Sequence, residues 1–146
     1  MDVKKIVEQL IKKFGTTNPF MLANLLGIMI VYEPLGSTYG YYSKSHRIKV
    51  IHINEFLSFQ KQYFTCAHEL GHAILHTEEN TAFLKKKTLF STDKLEIEAN
   101  TFAVELLVPD DLFFTNDSSF TIYDEIKEKG VPEELVNLKN IDGKKI

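Results

Sequence analysis

Between Thr65 and His76 the chain reads Thr-Cys-Ala-His-Glu-Leu-Gly-His-Ala-Ile-Leu-His, and the His-Glu-x-x-His inside it limits what the rest can be. A step of four residues is close to one helical turn, so His68 and His72 leave the same face of a helix and can grip one metal ion. Glu69 sits beside them, where a carboxylate takes a proton from a water on that ion. With five histidines in 146 residues, a shuffled chain yields the bare pattern only about 0.015 times. The motif demands a third ligand and a substrate-binding surface, and the remaining residues have to supply both.

The length is that of one domain, 1–146, able to bury most of its surface around a single core. Hydrophobic residues at 44% and charged residues at 25% exclude a disordered or fibrous chain. Seventeen basic against twenty acidic side chains leave a net charge of −3, which lacks the basic excess of a phosphate-backbone binder. No direct nucleic-acid binding is expected. Cys66 stands alone, which excludes an internal disulfide and suits a reducing compartment. The N-terminal residues build no signal-peptide core, and no run of about 18 apolar residues is available to span a membrane. A cytoplasmic location is the expectation.

Val3, Ile6, Val7, Leu10, Ile11 and Phe14 recur at helical spacing among lysines and predict an amphipathic helix that stops at Gly15. Asn18-Pro19 caps a second short helix that closes at Gly27. The second helix carries no Arg or Lys for phosphates or base edges, so the pair reads as packing, not as a DNA-reading unit. From Ile28 to Ile53, β-branched and aromatic runs separated by Pro34-Leu35-Gly36 and by Ser43 to His46 predict three short strands in a small, mostly antiparallel sheet. His46 in the turn and His52 in the third strand read as surface or packing residues. The motif helix is expected from Asn54 to about Thr77, with a break near Ser58, followed by a loop from Glu78 to Ser91 whose Lys85-Lys86-Lys87 run is a solvated surface. A further helix runs from a cap at Thr92 to Val108, before Pro109. Beyond it, about 111–146 forms a weaker helical extension: Phe120 to Lys129, a stop at Gly130, another turn or two from Pro132, and a frayed tail from Asn140. The fold class is α+β, with several helices, the motif helix among them, packed on the sheet.

A catalytic zinc needs three protein ligands and an open position. His76, four residues past His72, lies a turn too far along to share the ion, and reads instead as a residue of the cleft or core. The next helix offers Glu96 or Glu98. Glu96 has Asn100 one turn away, able to hydrogen-bond a ligand from behind. Glu98 points about 200° around the helix from Glu96 and reads as a solvated carboxylate.

The run Tyr63-Phe64-Thr65-Cys66-Ala67-His68-Glu69-Leu70-Gly71-His72-Ala73-Ile74-Leu75-His76 is followed by Glu96-Ile97-Glu98-Ala99-Asn100-Thr101-Phe102-Ala103-Val104-Glu105-Leu106-Leu107-Val108-Pro109. Together they resemble the ImmA/IrrE family of metallo-endopeptidases. Asn18-Pro19-Phe20, Gly27-Ile28, Gly40-Tyr41 and Ile51-His52-Ile53-Asn54 extend the resemblance over about residues 1–110. It implies a zincin-like, specifically gluzincin-like, fold with one Zn2+ ion and with Glu96 as third ligand beside His68 and His72. Glu69 is then the catalytic base. It also implies a protein substrate, since relatives typically cleave a helix-turn-helix repressor of a phage, mobile element or stress-response locus. Tyr63, His76 and the Tyr39 to Tyr42 group are candidates for stabilising the oxyanion, and the edge of the small sheet is a candidate track for an extended substrate. The alternative is a repressor-binding module that does not cut and keeps the metal as a structural staple.

Overall fold

The computed structural model describes residues 1–114, 122–141 and 144–145. Helix α1 (Val3–Phe14) begins where the Asp2 side chain accepts from the Lys5 amide, and α2 (Pro19–Leu25) begins where Asn18 accepts from Phe20 and Met21. Three strands follow, β1 (Met29–Glu33), β2 (Gly40–Ser45) and β3 (Ile48–Asn54). Then come α3 (Phe59–Leu75), α4 (Lys94–Leu107) and α5 (Ile122–Glu128), with short 3-10 turns at Thr88–Phe90, Asp110–Phe114 and Glu133–Leu138. The fold is α+β. The expected helix from Phe120 begins outside the described residues, and the tail from Asn140, expected to fray, forms a two-residue ribbon of β4 (Asn140–Ile141) with β5 (Lys144–Lys145).

The sheet is mixed, in the order β1-β3-β2, which departs from the mostly antiparallel arrangement expected. Strands β2 and β3 form an antiparallel hairpin, but β1 lies parallel to β3, with Ile30 opposite Ile51 and Tyr32 opposite Ile53. Alternation of apolar residues identifies strands, yet says nothing about the direction of a neighbour. The hairpin turns at His46 and Arg47, both at positive φ (50° and 71°), one residue later than the sequence suggests. That left-handed pair is the geometry a two-residue turn needs to match strand twist. On the outer face of the sheet His52 hydrogen-bonds Glu33 and Ser43 and stacks on Tyr41, so it is a packing residue as expected.

Helix α3 is the centre of the molecule. Every residue from Phe64 to Ala73 is buried, because β2 and β3 cover one side of the helix, α4 the other, and α2 its start. Ser58 caps it, while Asn54 instead turns the chain by accepting from the Phe56 amide and donating to the carbonyls of Gly36 and Thr38. Helix α1 packs on the far side of α4, which completes the stack of sheet, α3, α4 and α1. The core between the layers holds Leu22, Ile51, Ile53, Leu70, Phe102, Leu106 and Leu107, all without exposed surface. Gly130, at φ +72°, sits against the first turn of α3, where an added Cβ would fall 1.8 Å from the Gln60 carbonyl oxygen.

The 78–91 segment is mostly irregular, as expected, but it does not simply skirt the fold. Leu84 is fully buried and pairs with the edge of β2: its carbonyl accepts from the Tyr39 amide at 2.6 Å and its amide donates to Gly40 at 2.9 Å. The sheet edge is therefore already taken at Gly40, and only Tyr41 to Ser45 leaves β2 as an outer strand. Lys86 and Lys87 are exposed, in keeping with a solvated lysine run.

Candidate metal centre

His68 and His72 project from α3 towards the first turn of α4, where Glu96 meets them. One Glu96 oxygen lies 3.2 Å from Nε2 of His68 and 3.3 Å from Nε2 of His72, and its other oxygen lies 3.1 Å from Nε2 of His72. All three side chains are buried. Ligand atoms about 2.0–2.1 Å from one tetrahedral zinc stand about 3.3 Å from one another, so this donor set fits such an ion. Its chemistry fits as well, since two imidazoles and a carboxylate leave the fourth position open. His68, Glu69 and His72 also bring donor atoms within 4.8 Å of each other. Glu69, however, hydrogen-bonds neither imidazole, whereas Glu96 reaches both.

The close approach of α4 to α3 depends on Gly71, inside the motif. A Cβ there would stand 3.1 Å from Cβ of Phe102 and 3.2 Å from its ring. Asn100, one turn beyond Glu96, accepts from Nδ1 of His68 at 2.8 Å and donates to the Leu89 carbonyl at 3.3 Å. The Asn100 amide is thus oriented by the 78–91 segment, and its oxygen holds the His68 ring with Nε2 facing Glu96.

Glu69 is fully buried and neither of its carboxylate oxygens has a hydrogen-bond partner; the same is true of the hydroxyl of Thr65, one turn earlier. Burial pushes the Glu69 carboxyl up to about 8, with His68 opposing the rise and Glu96 adding to it. For Glu96, burial works against the charge, but hydrogen bonds from His68 and His72 outweigh it and hold the carboxyl down at about 2. Burial also works against a charged His68, yet Glu96 and Glu69 more than offset it and its imidazole lies above the ordinary value. At His72 burial prevails and the imidazole lies below it. Buried Cys66 is pushed strongly upward by burial and then by Glu69, so its thiol stays protonated and unreactive.

The other candidates fall elsewhere. Tyr63 packs between Phe20 and Phe59, with ring centroids 5.9 and 5.8 Å away. Tyr42 donates its hydroxyl to the Thr77 carbonyl, and Tyr41 lies on the outer face of the sheet against His52. His76 has both ring nitrogens engaged, Nδ1 with His72 at 2.9 Å and Nε2 with Glu98 at 2.9 Å. Glu98 is consequently not the solvated carboxylate expected from its position; its side chain is only 14% exposed. The 200° between Glu96 and Glu98 does prevent both from facing one ion. It still lets Glu98 reach His76 at the C-terminal end of α3, a target that an argument confined to the metal overlooks.

A buried pair of helices carrying His-Glu-x-x-His on one and a converging carboxylate on the other defines a metallopeptidase of the zincin type. Residues 23–139 match the IrrE N-terminal-like domain, a peptidase family, and the chain belongs to the ImmA/IrrE family of metallopeptidases. It is 45% identical over 141 residues to "Uncharacterized immunity region protein 2" of Bacillus phage phi105, covering 95% of this chain and 89% of the relative. It is 38% identical over 110 residues to "Metallopeptidase ImmA" of Bacillus subtilis (strain 168), covering 74% of this chain and 64% of that protein.

Proposed function

We infer that the chain is a zinc-dependent endopeptidase that cuts a helix-turn-helix transcriptional repressor at a specific site. His68, His72 and Glu96 hold the ion and Glu69 is the catalytic base. The observation that carries this reading is the contrast between two buried carboxylates: Glu96 engages both imidazoles, while Glu69 lies beside them with no partner. A metal staple needs no free carboxylate, and an unpaired one buried in a core is costly unless it has a task.

His68, His72 and Glu96 would hold a zinc ion, which would supply Lewis-acid chemistry towards a peptide carbonyl and a water. Glu69 accepts the proton of the attacking water and returns it to the leaving amine, so the carboxylate ends the cycle as it began. Asn100 keeps Nδ1 of His68 protonated and its Nε2 aimed at the Glu96 carboxylate. The low-dielectric surroundings of α3 strengthen each of these interactions relative to water.

The substrate class rests on the family resemblance and on the name of the phage relative, an immunity region protein. A repressor substrate also places the protein in the cytoplasm. No helix among the described residues is long and apolar enough to cross a membrane. The test is incubation with zinc and any helix-turn-helix repressor found encoded beside the gene, followed by mass analysis of the fragments. Glu69→Gln should lower the cleavage rate by about 10²–10⁴-fold. Cleavage at the parental rate in that variant overturns the mechanism, and repressor binding without any cleavage favours the sequestering alternative.

A further inference from the structure

We propose that His76 and Glu98 form a relay that positions His72, fixing the Nδ1 side of its ring so that Nε2 is turned towards Glu96 and the ion's place. The inference rests on the reading that His72 is a metal ligand, but its geometry can be followed atom by atom. A carboxylate oxygen of Glu98 accepts from Nε2 of His76 at 2.9 Å. Nδ1 of His76 lies 2.9 Å from Nδ1 of His72, and a His72 whose Nε2 lone pair is given to the ion keeps its hydrogen on Nδ1 and donates it to His76. The same contacts turn Nε2 of His72 towards Glu96, 3.1–3.3 Å from its oxygens.

The two histidines of the motif are thus set by different devices. His68 is fixed by a neutral amide, Asn100, which is itself anchored to the Leu89 carbonyl. His72 is fixed by an imidazole whose other nitrogen is held by a carboxylate oxygen of Glu98. Such backing makes a ligand imidazole more basic and restricts its rotation. The relay also gives the third histidine of the helix a role without making it a ligand.

The relay can be read without any peptidase assay. In zinc-loaded protein labelled with 15N, long-range 1H–15N spectra should show His72 protonated on Nδ1 and His76 protonated on Nε2. Glu98→Ala should weaken zinc binding by about 10–100-fold in competition with a chelating dye. Glu98→Gln keeps an acceptor oxygen in place and should restore most of that affinity. His76→Phe, which keeps a ring but no acceptor, should match Glu98→Ala, with circular dichroism confirming the fold. If His76→Phe does not fold, the Ala and Gln variants at Glu98 decide alone. His76 protonated on Nδ1 in place of Nε2 in the zinc-loaded parent, or a folded Glu98→Ala with zinc affinity within twofold of the parent, overturns the relay. Failure of the ligand assignment is a different result: zinc binding unaffected by Glu96→Gln.

Discussion

Glu69 separates a working site from a stable one. A carboxyl group buried without a hydrogen-bond partner forgoes the solvation it has in the unfolded chain, and the penalty for such a group is about 1–3 kcal/mol. Replacing it with a side chain of similar length and no polar atoms should remove the penalty. Glu69→Met is therefore expected to raise the unfolding free energy of metal-free protein by about 1–3 kcal/mol in urea titrations while abolishing cleavage. A destabilised Glu69→Met would mean that the carboxylate has a structural partner after all. Glu96 should behave in the opposite way. Because both of its oxygens engage imidazoles, Glu96→Gln should abolish tight zinc binding, whereas Glu98→Gln should leave it largely intact.

Among the elements, the packing of α3 on α4 decides whether the ligands meet, and Gly71 sets how close the two helices come. A Cβ at 71 meets Phe102, itself fully buried, so a larger residue must push α4 outwards and carry Glu96 and Asn100 with it. Gly71→Val should cost about 1–3 kcal/mol of stability and also weaken zinc binding, as checked by thermal denaturation and chelator competition on the same preparation. Unchanged zinc affinity in a destabilised variant would show that the ligand geometry does not depend on this spacing. These helices were readable in advance because their apolar residues recur at helical period and because Glu96 and Asn100 share one face. The partnership of Glu98 with His76 was not readable, since it depends on how far along α3 the two helices cross. The parallel placement of β1 beside β3 was hidden for a similar reason: strand patterning is local, while the choice of neighbour is made by tertiary packing. The 78–91 segment shows no period, yet Leu84 pairs with Gly40 and the Leu89 carbonyl orients Asn100; both are backbone contacts that side-chain patterns do not record.

Across the whole molecule, the C-terminal residues are tied to the zincin core by a compact ion cluster. Lys139, only 1% exposed, donates to Glu105 of α4 at 2.6 Å and to Asp110 at 2.5 Å, and the Asn140 amide donates to the other Glu105 oxygen at 3.0 Å. Lys4 of α1 reaches Asp110 at 2.9 Å and also bonds the Asn140 carbonyl. Asp110, Lys139 and Asn140 are thereby fastened to α1 and α4. Removing the buried cation leaves Glu105 uncompensated, so Lys139→Met should destabilise the protein by about 3–5 kcal/mol, and adding Glu105→Leu should recover much of the loss. The cluster also has a pH signature. Burial works against the charge on Asp110, but hydrogen bonds from Lys139 and Lys4 outweigh it and hold its carboxyl below the ordinary 3.8. A folded-state value below the unfolded one means that the stabilisation is complete above the unfolded value and disappears as pH falls through the folded one. The difference in unfolding free energy between the parent and Asp110→Asn should therefore be constant from about pH 5 to pH 7 and shrink on acidification below 3.8. Urea titrations of both proteins across that range provide the check, and a difference that grows on acidification would mean that Asp110 is not held in its charged form by the two lysines.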